Sequence, residues 1–220
     1  DLSAGTHEYD LPGNTNTGLV YVYKGVAQDM GVPGGLQTRP VLGWTSQDPV
    51  DVGGQLGRNL AVGDLDGDGR AEVVISHHAF DFGSGDAHGA VRVFRGAPFG
   101  DAISAMAPVA PADFEVVHDG SGDQVGFMPV LADGNGDGQL DLLIGNIADE
   151  VTGGRGDAGT IRLYAGVPGG LPDPSAPTRV VAGANSSDRL GSAFGVLGDL
   201  DGDGAPEMLG FAHYADRFGP

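Results

Sequence analysis

Cysteine is absent from this chain, which excludes disulfides, thiolate chemistry and cysteine-ligated zinc. Bases are scarce, with 11 Lys and Arg against 30 Asp and Glu and a formal net charge of -19. That balance argues against nucleic acid or an anionic membrane as partner and favours cations, or a salty or extracellular setting. No apolar stretch reaches the roughly 18 residues of a membrane span, so no membrane insertion is expected, and no signal peptide is seen. The first residue is Asp1 rather than Met, so a processed or partial polypeptide is expected. Long helices are missing as well, because no segment sustains apolar residues at i, i+3 and i+4.

Glycine is abundant instead, with 41 Gly and 14 Pro, yet there is no Gly-X-Y period and 40% of the residues are apolar. This composition argues against collagen and simple disorder, and 220 residues suffice to bury a substantial core. The glycines belong to repeats. An acidic stretch, GDLDGDGRAEVVIS from Gly63, returns as ADGNGDGQLDLLIG from Ala132 and GDLDGDGAPEMLGF from Gly198. A second pattern reads GLVYVYKG from Gly18, GAVRVFRG from Gly89 and GTIRLYAG from Gly159. Both recur every 65 to 70 residues or so, and short alternating apolar runs between Gly, Pro, Asp and Asn clusters predict four strands in each period. Four strands per repeat is the content of a propeller blade with long outer loops.

The acidic stretch reads as a cation loop. Counting from its first carboxylate, positions 1, 3 and 5 are Asp64, Asp66 and Asp68, then Asp133, Asn135 and Asp137, then Asp199, Asp201 and Asp203. Position 6 is always Gly, and position 9 is Glu72, Asp141 or Glu207. Alternating oxygens, a Gly at the sharp turn and a later carboxylate suit a hard cation, and calcium over magnesium because the cage leaves little room for retained waters. Position 7 (Arg70, Gln139, Ala205) varies in chemistry, as expected where only the backbone carbonyl is used. About three Ca2+ ions are thus expected. An EF-hand requires Glu at position 12, where Ile75, Ile144 and Gly210 stand, and flanking helices, so that reading fails.

With these motifs the chain resembles the FG-GAP repeats of the integrin alpha-subunit propeller and its bacterial relatives. GNIADEVTGGRGDAGTIRLYAG from Gly145 is similar to the stretch behind the "GAP" of that name. The "FG" is replaced by Leu56-Gly57, Val125-Gly126 and Leu190-Gly191, and the last copy has one extra residue before its loop. The resemblance implies an all-β propeller of four-stranded blades in which each calcium loop joins the innermost strand to the next. Lettering strands A to D outward, residues 18-52 supply C and D of a first blade, 53-122 a second blade, 123-188 a third, and 189-220 A and B of a further one. Three blades' worth of strands cannot close a ring of the usual four to eight. The remainder is expected on a missing segment or another chain, with a homodimer pairing Met208 to His213 against Gly18 to Lys24 as the alternative.

Other features have plain readings. RGD at Arg155 to Asp157 matches SGD at Ser84 to Asp86 in the previous copy, so repeat scaffold explains it. His77, His78 and His88 lack ligand spacing and read as loop histidines. Asp48, Asp51, Asp81, Asp86 and Asp123 read as solvated surface, and Trp44 as core or rim rather than a sugar platform. No nucleophile elbow, Walker loop or HExxH is found, so no catalytic residue is assigned. The leading function is a calcium-binding extracellular or cell-surface module, with the periplasm as alternative, that takes a protein or glycan ligand on its loops. The alternative is the propeller part of a secreted carbohydrate-active lyase or hydrolase.

Overall fold

The computed structural model describes residues 2–6, 10, 17–23, 25–26, 35–36, 42–45, 53–81, 87–96, 107–108, 112–117, 122–151 and 155–215. Among them every regular element is a strand: β1 (Leu2–Thr6), β2 (Leu19–Tyr23), β3 (Gly25–Val26), β4 (Gly35–Leu36), β5 (Leu42–Thr45), β6 (Leu60–Gly63), β7 (Glu72–His77), β8 (Ala90–Phe94), β9 (Ala107–Pro108), β10 (Phe114–Val117), β11 (Met128–Ala132), β12 (Asp141–Asn146), β13 (Thr160–Tyr164), β14 (Arg179–Ala182), β15 (Leu190–Gly198) and β16 (Glu207–Ala212). Two antiparallel four-stranded meanders, β6-β7-β8-β10 and β11-β12-β13-β14, form the centre of a partial β-propeller. On one side lies the sheet β1-β2-β5-β9, on the other the pair β15-β16, and β3 and β4 form a separate short pairing.

The apolar runs of β7 and β12 follow from stacking of sheets. Val74 faces a core with Val91, Val93, Phe114, Leu142 and Ile144, whereas its neighbours Val73 and Ile75 face a different core with Val20, Val22, Trp44 and Leu56. In β12 Leu142 and Ile144 share the first core and Leu143 turns to a third, with Ile161, Leu163 and Phe194. Side chains alternate across a strand, so a strand buried on both faces carries consecutive apolar residues, here Val73 to Ile75 and Leu142 to Ile144, while the buried polar residues Glu72, Ser76, His77, Asp141 and Asn146 stand towards the strand ends. Trp44 is buried and lies 4.8 Å from the Phe94 ring, which makes it a core residue.

The two sequence signatures meet between sheets. Gly18 bridges Leu56, Gly89 bridges Val125, and the Leu190 amide donates to the carbonyl of Ala158, next to Gly159. A Cβ on Gly89 would lie 2.4 Å from both N and O of Val125, and its φ of +79° disfavours other residues. The glycine thus lets one blade's third strand touch the entry to the next blade. The extra residue in the last copy also has a structural place. Strand β15 pairs β16 with register shifts at Leu190/Ala193 and Val196/Gly198, so irregular pairing absorbs it.

Three expectations are corrected. The first sheet holds β1 and the short β9 in addition to the two expected strands; LSAGT lacks the alternation that marked the others. Because β1 and β5 flank β2 on its two edges, with Leu2 opposite Tyr23 and Leu19 opposite Thr45, that segment has no edge left for β16 of a second copy. In this chain β1 therefore holds the edge that the homodimer pairing would give to a second copy. His77 and His78 are not exposed loop residues either. His77 ends β7, fully buried beside Phe80 with Arg92 Nη1 2.5 Å from its Nδ1, and His78 is buried with Nε2 3.1 Å from Arg58 Nη1.

Candidate metal centre

Each acidic loop joins the first strand of a sheet to the second, after β6, β11 and β15. The same four hydrogen bonds shape all three. The Gly amide at position 6 donates to Oδ2 at position 1, over 2.9 Å in Asp64, 2.8 Å in Asp133 and 2.9 Å in Asp199. The position 5 amide donates to Oδ1 of Asp66, Asn135 and Asp201. The amides of Arg70, Gln139 and Ala205 donate to Oδ1 of Asp68, Asp137 and Asp203. Finally the position 2 amide donates to the carboxylate of Glu72, Asp141 or Glu207, pinning the second strand to the start of the loop. Short polar side chains bonding to nearby amides favour such turns, so loop shape is largely local in origin.

Beyond that common frame the loops differ. In the first, Asp64, Asp66 and Glu72 bring ligand oxygens within 4.8 Å of one another, and Asp66 and Glu72 are buried. Asp64 Oδ1 is also buried and has no hydrogen-bond partner. Its counterparts are engaged: Asp133 Oδ1 accepts from Gly136 at 2.6 Å and Asp137 at 3.1 Å, and Asp199 Oδ1 accepts likewise from Gly202 and Asp203. A buried carboxylate oxygen without a donor is costly in the absence of a cation, and three converging carboxylates fit one. In the third loop Asp199, Asp201 and Asp203 also lie within 4.8 Å of one another, here exposed. The second loop has Asn135, whose Nδ2 donates to Asp137 Oδ2 at 2.9 Å and Asp141 Oδ1 at 3.4 Å.

The second loop also separates its carboxyls in acidity. Burial pushes the Asp141 carboxyl up, the amides of Gly166 and Gly134 oppose this, and the charges of Asp137 and Asp133 add to it. For Asp133 a desolvation effect acts upward but is outweighed by the amides of Gly138, Gly136, Asp137 and Asn135, which hold it below the ordinary range. One loop thus contains a favoured anion and a disfavoured one.

Several neighbours are added by tertiary structure. Arg95 Nε lies 3.6 Å from Asp66 Oδ2, the Gly96 amide donates to Glu72 Oε1, and the Gly169 amide donates to the Asp66 carbonyl. In the second loop the Gly166 amide donates to Asp141 Oδ1. Arg95 and Gly96 end GAVRVFRG, and Gly166 ends GTIRLYAG, so the repeat marked these positions without showing that they reach the loops.

The remaining motifs fall elsewhere. Arg155 of the RGD donates to the carbonyls of Gly183 at 2.8 Å and Ala184 at 3.2 Å, which ties it to the scaffold. Asp48, Asp51 and Asp86 lie outside the described residues, and so does the SGD segment. Asp123, expected on the surface, is buried before Val125, and its carbonyl accepts from Ala148.

Comparison with known proteins agrees with this geometry. Residues 56–94, which hold the first loop, match the FG-GAP repeat. The chain is similar to integrin alpha-IIb of Mus musculus, 28% identical over 182 residues, and to integrin alpha-IIb of Homo sapiens, 29% identical over 185 residues. Those alignments cover 80% and 81% of this chain but only 16% of each relative, so the chain spans a small part of their length.

Proposed function

From the premise of an FG-GAP, integrin-like partial propeller, we propose that this chain is a calcium-binding extracellular module that holds a protein or glycan on its loops, with no catalysis of its own. The observation that carries the metal reading is the buried, donorless Asp64 Oδ1 facing Asp66 and Glu72 in a loop that recurs three times. The first ion would be held by Asp64, Asp66, Asp68, the Arg70 carbonyl and Glu72. The second would use Asp133, Asn135, Asp137, the Gln139 carbonyl and Asp141, and the third Asp199, Asp201, Asp203, the Ala205 carbonyl and Glu207. A bound divalent ion supplies charge neutralisation and stiffens the junction of first and second strands. The similarity to integrin alpha-IIb supports adhesion as the wider role.

The blades are assigned as residues 53-122 and 123-188, with partial ones at 18-52 and 189-220. A segment beyond these residues, or another chain, would complete the ring. The contrast between β12, buried throughout, and β16, where Leu209 and Phe211 are 61% and 53% exposed, supports this. Calcium titration by calorimetry, followed by protein and glycan arrays with calcium or EGTA, tests the function. Saturable calcium uptake and calcium-dependent ligand retention are expected. Ligand binding indifferent to EGTA, or lyase or hydrolase activity on retained glycans, would overturn the proposal.

A further inference from the structure

The three loops differ in their surrounding cations. The first has two arginines against its carboxylates: Arg95, 3.6 Å from buried Asp66, and Arg70, whose Nη1 lies 3.4 Å from Asp68 Oδ2. Arg95 is matched by Ala165 in the second copy, and Arg70 by Gln139 in the second and Ala205 in the third. Arg95 is held at the loop by its own backbone, which donates to Asp113 Oδ2 at 2.8 Å, while the next amide, of Gly96, bonds Glu72 Oε1. Its side chain is 44% exposed and therefore has a path to swing away, whereas the Asp66 side chain is 4% exposed and fixed.

We propose that Arg95 is a built-in competitor for the cation of the first loop, pairing with Asp66 when no divalent ion is there and yielding to one when it binds. The inference rests on the calcium reading of the loops. A guanidinium and a divalent ion cannot both neutralise one carboxylate without repelling each other, so Arg95 lowers the affinity set by the four carboxylates Asp64, Asp66, Asp68 and Glu72. The first loop therefore fills at a higher calcium concentration than its acidic count alone would set. Arg70, more exposed at 57%, acts in the same direction and more weakly.

The test is calorimetric titration of calcium chloride into EGTA-stripped protein at low and high sodium chloride. Wild type is compared with Arg95→Gln, Arg95→Lys and Arg70→Gln, and each is repeated in an Asp64→Asn background. Arg95→Gln is expected to bind calcium about two- to fivefold more tightly at one site, the range of a partly exposed ion pair. Arg95→Lys keeps the charge and should stay near wild type. The gain should vanish with Asp64→Asn and shrink at high salt. The difference in melting temperature between calcium and EGTA should also widen in Arg95→Gln, since the calcium-free form loses its counter-ion. Arg70→Gln, on an exposed side chain, keeps the test open if Arg95 variants fold poorly. Unchanged or weaker affinity in the neutral variants, or equal tightening in Arg95→Lys, overturns the inference while leaving calcium binding intact. A wild-type protein that takes up no calcium overturns the calcium reading itself.

Discussion

Asp66 and Asn135 occupy the same place in successive loops and differ by one atom. Asp66 faces Arg95, whereas the Asn135 amide itself donates to Asp137 and Asp141 and stands in for an external cation. Asn135→Asp should therefore raise the calcium affinity of the second loop by roughly two- to tenfold and lower stability in EGTA, as calorimetry and melts would read. Asp173 gives a cleaner titration, away from the loops. Hydrogen bonds from the Ser175 hydroxyl and amide hold its carboxyl below the ordinary 3.8. A depressed folded pKa contributes stability above the unfolded value that is lost as pH falls through the folded one. Ser175→Ala should move the Asp173 midpoint up towards 3.8 in an NMR titration. At this scale the sequence was informative about where the loops place their carboxylates, because an acid at position 1, 3, 5 or 9 is visible as a letter. Arg95 was silent, because its role depends on where the end of β8 lies relative to a loop some thirty residues earlier.

Elements were legible where one period dominated. β7 and β12 were marked by the apolar runs Val73 to Ile75 and Leu142 to Ile144, since both faces are buried, and the extra residue near β15 announced an irregularity that the register shifts locate. β1 was hidden because its LSAGT sequence carries no alternating apolar set; its pairing is specified by β2. Two substitutions probe this level. Leu142→Ala in the shared core should cost about 2–5 kcal/mol in denaturant unfolding, from lost burial and the cavity left behind. Gly89→Ala meets the Val125 backbone as well as an unfavourable φ, so a loss of more than about 1 kcal/mol is expected by the same assay.

For the whole molecule, stacking of repeats explains why the centre is buried and one end is not. β7 and β12 are covered on both sides, whereas β16 leaves Leu209 and Phe211 exposed. Hydrogen exchange should find β12 amides protected and β16 amides exchanging much faster, since opening an edge pair exposes little surface. The same repetition multiplies the acidic loops, whose mutual repulsion something must neutralise. Melting the protein in EGTA, in calcium and in magnesium, with elemental analysis of the purified chain, tests this most directly. Each site at a hundredfold its dissociation constant adds on the order of 2.7 kcal/mol, or roughly 5 to 10 °C for a chain of this size. A rise of at least that size in calcium, smaller in magnesium and reduced by Asp66→Ala or Asp201→Ala, is the predicted result; an unchanged melting temperature on chelation, with no calcium in the protein, would contradict it.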